Sequence, residues 1–380
     1  MSTTNHGNSA LAGSTAVPGR IPPILSVQDL TMHYTTRKGD VWAVDDVSFD
    51  VARGHSLGLV GESGCGKTSV ALALLRLLPD NARILGGRVC LDGSDILSLD
   101  ENELLKVRWK GISMVFQAAM NALDPVYRVG DQIVEALQTH LETMDDAKAR
   151  QRVAKLFKLV GLDPMLMDRY PHEFSGGMRQ RAVIAMALSC EPDVIVADEP
   201  TTALDVIVQD RILRQMRAIQ KRLDMGMIYI SHDIAVIAEV SDRIAVMYAG
   251  RMVELADAVD VFERPMHPYT CALMGAFPSI RGEKRELVTL PGEPPDLLHP
   301  PPGCRFHPRC PRATEICMER VPPFSEVNGE RFLACWHPVQ NSSGRSRPQT
   351  AGANGPPASC RHDVRNARGG YARPGEVTHG

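Results

Sequence analysis

Between Gly61 and Thr68 the chain reads Gly-Glu-Ser-Gly-Cys-Gly-Lys-Thr. Glycines 61, 64 and 66 let the backbone turn so that its N–H groups surround phosphate oxygens, and a helix opening after them adds the positive end of its dipole. In this spacing Lys67 reaches the β and γ phosphates of ATP, and the Thr68 hydroxyl coordinates Mg²⁺. A second group is Val194-Ile195-Val196-Ala197-Asp198-Glu199, an apolar run ending in two carboxylates. Adjacent strand residues point oppositely, so the two carboxylates take different tasks. Asp198 is placed to hold the Mg²⁺ shell through water, and Glu199 to orient and deprotonate the attacking water. Together they define phosphoryl transfer from ATP to water.

Both groups need elements to aim them. Leu57 to Val60 reads as a strand entering the glycine run, and Ser69 to Leu78 as the helix leaving it. Runs at Ser56 to Val60, Ile112 to Phe116, Asp193 to Ala197, Met227 to Ile230 and Ile244 to Tyr248 alternate with helical stretches. That alternation predicts an α/β fold, a largely parallel sheet with helices on its faces. A third motif, Phe174-Ser175-Gly176-Gly177-Met178-Arg179-Gln180-Arg181, precedes the helical run Ala182 to Cys190. A serine and two glycines at a helix N-terminus can receive an anion without side-chain charge.

With these motifs in this order the chain resembles the ATP-binding cassette (ABC) ATPases over roughly Ile24 to Glu254. The resemblance implies a P-loop NTPase cassette with a mixed sheet, helices and a helical subdomain at about 118–176. It implies that Gly61, Glu62, Ser63, Gly64, Cys65, Gly66, Lys67, Thr68 and Ser69 hold the nucleotide. Tyr34 falls where the family stacks an aromatic ring on adenine, although by itself it is equally a strand-face tyrosine. Gln117 matches the glutamine that senses γ-phosphate and Mg²⁺, and His232 matches the switch histidine at the γ-phosphate. Two cassettes of this family stack head to tail. Ser175, Gly176 and Gly177, with Asp205 of the interface loop Ala203-Leu204-Asp205, would therefore serve a nucleotide bound by another chain.

Three features narrow the branch. The signature is FSGGM, so Met178 stands in place of a glutamine and cannot make amide hydrogen bonds. Ala43-Val44-Asp45-Asp46-Val47-Ser48-Phe49, His267-Pro268-Tyr269-Thr270 and a cysteine-bearing extension are similar to the dipeptide and oligopeptide importers of bacteria, extending the resemblance to about 24–340. It then implies two membrane permeases, a second and different ABC ATPase, an extracytoplasmic substrate-binding protein, and a peripheral place on the cytoplasmic face of the inner membrane. Nickel or another small solute is the alternative cargo. A soluble ABC ATPase acting on nucleic acid is the less favoured alternative, because only about a hundred residues separate Thr68 from Ser175 and each motif occurs once.

Composition agrees with a globular chain. Of 380 residues, 42 are Lys or Arg and 45 Asp or Glu, a net charge of −3, so no global field favours nucleic acid or anionic lipid. No apolar run approaches the ~18 residues a spanning helix needs. The first twenty residues lack a charged start and an apolar stretch, so export is not expected. Residues 1–22 read as a disordered leader, 23–264 as the ATPase domain, 265–340 as the extension and 341–380 as a disordered tail. The arginines of that tail fit an RNA- or lipid-touching arm or a plain solvated end.

Four of the nine cysteines, Cys304, Cys310, Cys317 and Cys335, lie in the proline-rich extension, separated by five, six and seventeen residues. In a reducing compartment they read as metal ligands before disulfides. The gaps fit structural zinc poorly and an iron–sulfur cluster better, with free thiols a third possibility. The resemblance also implies a [4Fe–4S] cluster there, of structural role. A segment so poor in apolar residues is expected to need the metal to fold, while ATP binding persists because the cassette has its own core. Cys65, near a helix N-terminus and Lys67, is either a reactive thiol or an inert small residue.

Overall fold

Val, Ile and Leu on successive positions of a short run require burial on both faces, which a central strand under two layers supplies. A computed structural model of the protein describes residues 22–117, 122–141, 144–202, 204–275 and 292–339. The expected leader and tail lie outside the described residues, apart from Pro22 at the leader's end. The strands are β1 (Pro23–Thr36), β2 (Gly39–Ala52), β3 (Ser56–Val60), β4 (Ala82–Leu91), β5 (Ser94–Asp95), β6 (Ile112–Val115), β7 (Val194–Asp198), β8 (Gly226–Ile230), β9 (Arg243–Tyr248), β10 (Arg251–Asp257), β11 (Ser325–Asn328) and β12 (Arg331–Leu333). The five apolar runs read from sequence are β3, β6, β7, β8 and β9, and they pair in parallel in the order β9-β3-β8-β7-β6. β2, β1, β4 and β5 form a separate antiparallel sheet.

The helices are α1 (Lys67–Leu74), α2 (Glu101–Val107), α3 (Val129–His140), α4 (Asp146–Leu159), α5 (Gly176–Ala187), α6 (Val206–Leu223), α7 (Ile234–Val240), α8 (Ala258–Glu263), α9 (Pro268–Gly275) and α10 (Glu315–Glu319). The central sheet divides the apolar core. On one side Val70, Ala71 and Leu74 of α1 pack with β1, β2 and β4. On the other, α5, α6 and α7 pack with Ile133, Leu137, Val153 and Phe157 of α3 and α4. α6 shows how sequence dictates this: Ile212, Leu213, Met216 and Ile219 recur at helical spacing and are its buried apolar residues. Among the described residues no helix is long and apolar enough to cross a membrane.

The extension departs from expectation. β12 pairs antiparallel with β10 (Glu254 with Leu333, Leu255 with Phe332), and β11 pairs with β12, so the extension adds two strands to the cassette's own sheet. An edge strand such as β10 has unpaired N–H and C=O groups, and this hairpin covers them. The join is also ionic. Glu254, fully buried, pairs with Arg331 and accepts the N–H groups of Met266 (2.9 Å) and His267 (2.9 Å). Asp45 of β2 pairs with Arg251 (2.8 Å) and with Arg305 of the extension. Phe306 packs edge-on against Tyr248 and Tyr269 at 5.1 and 5.4 Å, inside the same core as β7 and β8. The segment thus buries apolar surface against the cassette, Phe306 and Leu333 above all, in addition to its strand pairing.

Candidate functional site

Gly66 ends the phosphate loop at φ 106°, a left-handed conformation, and a Cβ there would stand 2.1 Å from the Ala43 carbonyl oxygen. Only glycine turns the chain into α1 at this point. Lys67 lies back across the loop, 7% exposed, donating to the carbonyls of Gly61 (2.7 Å) and Glu62 (3.0 Å). Ser63, Gly64 and Thr68 are exposed. Tyr34 is half-buried on β1, and its hydroxyl lies 3.1 Å from that of Ser69, tying the ring to the start of α1.

Asp198 and Glu199 end β7 with opposite surroundings. Asp198 is 1% exposed and neither carboxylate oxygen has a hydrogen-bond partner of ordinary geometry. Burial raises its pKa, and the nearby Thr68 hydroxyl and Lys67 offset part of that. A buried carboxylate beside a hydroxyl and a phosphate loop is the donor set Mg²⁺ accepts. Glu199, just beyond the end of β7, takes a left-handed backbone conformation (φ 46°). Its carboxylate accepts hydrogen bonds from Gln117 Nε2 (2.9 Å) and Thr202 Oγ1 (3.0 Å), and His232 Nδ1 lies 3.1 Å from Oε1. Burial pushes its pKa up, but the hydrogen bonds from His232, Thr202 and Gln117 prevail and hold it below the ordinary value. Glu199 therefore stays ionised near neutrality, as a proton acceptor must. Gln117, Glu199 and His232, far apart in sequence, meet at the ends of β6, β7 and β8.

Ser175 and Asp205 belong to a second grouping. Ser175 caps α5, its hydroxyl accepting from Met178 N–H at 3.4 Å, and Asp205 caps α6, accepting from Val208 N–H at 2.9 Å. The two helix starts lie together, for a Cβ on Gly177 would be 2.9 Å from Val208. Gly176 opens α5 between them, and Ala203 lies outside the described residues. Val206 and Ile207, on the first turn of α6, are exposed.

Two side chains of the loop take surroundings that only the fold decides. Cys65 is 4% exposed, and burial raises its thiol pKa against the pull of Lys67, so the conditions for a reactive thiolate are not met. Glu62 contributes its backbone to the loop, but its carboxylate pairs with Arg309 of the extension. Arg309 and Thr202 escaped sequence reasoning, as did the contact of Tyr269 with the phosphate loop; Arg309 lies 247 residues from Glu62, and no local pattern marks the pair.

The four cysteines of the extension do converge. Cys304, Cys310, Cys317 and Cys335 line one cavity of about 10 Å³ together with His267 and His307. Burial pushes the Cys335 thiol up to about 12, with the other three thiols adding to the rise. Among the described residues, however, no three or more His, Cys, Asp or Glu side chains are arranged to hold a metal ion. The donors fit a soft metal in type. The cavity has room for about one water-sized sphere, so a four-iron cluster would need the sulfurs to part. The expected [4Fe–4S] cluster gains no support from this geometry.

A phosphate loop under a parallel sheet, with an ionised glutamate held by a glutamine and a histidine and a capped Ser-Gly-Gly helix nearby, is the arrangement of an ABC-type ATPase. A family model described as ABC transporter matches residues 44–202, and one described as oligopeptide/dipeptide transporter, C-terminal region, matches 253–317. The chain is 46% identical over 319 residues to the oligopeptide transport ATP-binding protein OppD of Escherichia coli, covering 83% of this chain and 94% of that protein. It is 46% identical over 317 residues to the dipeptide transport ATP-binding protein DppD of Bacillus subtilis, covering 82% and 94%. Among solved structures it is similar to the dimeric bacterial ABC transporter cassette MJ0796, with TM-score 0.56 and 25% identity over 62% of this chain and 98% of that one. A second is cbiO1 of Clostridium perfringens, with TM-score 0.56 and 26% identity over 64% and 91%. The chain belongs to the OppD/DppD family of ABC transporter ATP-binding proteins.

Proposed function

We propose that this chain supplies the energy for uptake of di- and oligopeptides by binding and hydrolysing ATP on the cytoplasmic face of the bacterial inner membrane. The observation that carries the reading is the Glu199 carboxylate, held by Gln117, Thr202 and His232 at the end of β7. Lys67 leaves the loop carbonyls for the β and γ phosphates. Glu199 takes the proton of a water whose oxygen attacks the γ-phosphorus, and the bond to the β-phosphate oxygen breaks. His232 and Gln117 keep Glu199 and the γ-phosphate in register. Thr68 and Asp198 would hold Mg²⁺, which would supply charge neutralisation to the phosphates.

The cassette spans 23–264, with its helical subdomain at about 118–176, and the extension 265–340. Its working partners are two permeases, a second ABC ATPase and an extracytoplasmic binding protein. Ser175, Gly176, Gly177 and Asp205 cap the nucleotide of that second ATPase, and Tyr34 stacks on adenine; the exposed Val206 and Ile207 support a partner at that face. The four cysteines are read as soft-metal ligands, a [4Fe–4S] cluster before zinc, on donor type alone.

Glu199→Gln tests the central claim. It should keep MgATP affinity and lower turnover at least ~10²-fold in the assembled transporter. Near-normal turnover would remove Glu199 from the mechanism.

A further inference from the structure

The extension grips the phosphate loop at one residue. Both ends of the Arg309 guanidinium donate to the Glu62 carboxylate, Nη1 to Oε2 at 2.7 Å and Nη2 to Oε1 at 3.1 Å, a two-point fit that lysine cannot reproduce. The pair is largely removed from solvent, with side-chain exposures of 6% for Arg309 and 23% for Glu62. Tyr248 completes the seat, its hydroxyl 3.3 Å from Nη1 and its ring centre 5.8 Å beneath the guanidinium. The backbone of Glu62 is held as well. Its N–H donates to the Tyr269 hydroxyl at 2.9 Å, and its carbonyl accepts from Lys67. Tyr269 is fully buried and wedged against Tyr248, with ring centres 4.6 Å apart.

Phosphate binding asks nothing of a glutamate at the second position of this loop. A carboxylate there is a liability, since Glu62 is the single acidic residue between Gly61 and Thr68 and like charge opposes a triphosphate. Pairing with Arg309 cancels that charge and turns the side chain toward the extension, while Tyr269 fixes the peptide that leads into the glycine turn. We propose that Arg309 and Tyr269 are positioning residues for ATP binding: acting through Glu62, they shape and neutralise the phosphate loop. The cassette's nucleotide site therefore depends on the seated extension. This inference rests on the ATP-binding role of the cassette and not on any metal in the cysteine cavity.

Equilibrium dialysis of labelled MgATP against the full-length chain tests it. Arg309→Ala should weaken MgATP binding about tenfold, through the uncompensated carboxylate it leaves. Adding Glu62→Gln to that variant should restore most of the affinity, a rescue that a purely structural role for Arg309 does not produce. Arg309→Lys and Tyr269→Phe should each cost about threefold, the lysine keeping charge but not the two-point geometry. Wild-type affinity in Arg309→Ala, or no rescue by Glu62→Gln, would overturn the inference. Should limited proteolysis show the extension released in Arg309→Ala, the two conservative variants decide, and wild-type affinity in both would overturn it. Failure of the unaltered chain to bind MgATP would instead overturn the ATP-binding role, and this inference with it.

Discussion

The phosphate loop and the cysteine cavity lie on one continuous structure but are assembled in different ways. The loop is eight consecutive residues, Gly61 to Thr68, the last two of them already in α1, and its geometry follows from glycine placement and the helix that begins at Lys67. The cavity gathers four cysteines from separate turns, aligned because Phe306, Arg305 and Arg331 are seated on the cassette. A consecutive motif carries its shape with it. A dispersed cluster borrows its shape from whatever packs beneath it, and here that support is the cassette sheet.

Four measurements would sharpen or break this contrast, after the Glu199 variant, whose effect on rate should be the largest. Next in size, Arg331→Ala leaves the fully buried Glu254 without its counter-charge. It should cost about 3 to 5 kcal/mol of unfolding free energy in a urea titration. An undiminished midpoint would mean the extension is not anchored through Glu254. Cys335→Ser should abolish bound metal while leaving residues 292–339 resistant to limited proteolysis, because sheet pairing and Phe306 hold the segment. Protein prepared without oxygen should carry roughly four iron and four sulfide per chain if the cluster reading holds. Stoichiometric zinc would favour the alternative, and release of the segment in the serine variant would return the metal to a folding role.

The pH dependence of hydrolysis is a finer probe. Glu199 is held below the ordinary carboxylate value, so it is ionised above that value and becomes protonated only as pH falls through its lowered pKa. The acid limb of turnover should lie below the ordinary glutamate range. Thr202→Val, which removes one of the hydrogen bonds, should move the limb upward. A limb that stays in place would detach Thr202 from the tuning of Glu199. The smallest effect is expected at Cys65. Its buried, protonated thiol should react slowly with alkylating reagents, with or without MgATP, in the folded chain. Rapid labelling blocked by nucleotide would restore the reactive reading.

Local order was readable in advance wherever the physics is local. Five apolar runs became β3, β6, β7, β8 and β9 because continuous Val, Ile and Leu can be satisfied only inside a layered sheet. The glycine run declared an anion site because backbone turning at Gly66 admits no side chain. Glu199 was found by its place at the end of an apolar run, Gln117 and His232 by the resemblance to the ABC ATPases, and parallel strands bring such ends to one side of the sheet. The pairing of the extension's strands with the cassette was not legible, because β11 and β12 are short and polar and take their place from β10. Burial of Cys65, the pairing of Glu62 with Arg309 and the seating of Tyr269 were likewise decided only in three dimensions. Each depends on groups hundreds of residues apart, or on what surface is left uncovered, and neither spacing nor composition encodes a distance across a folded core.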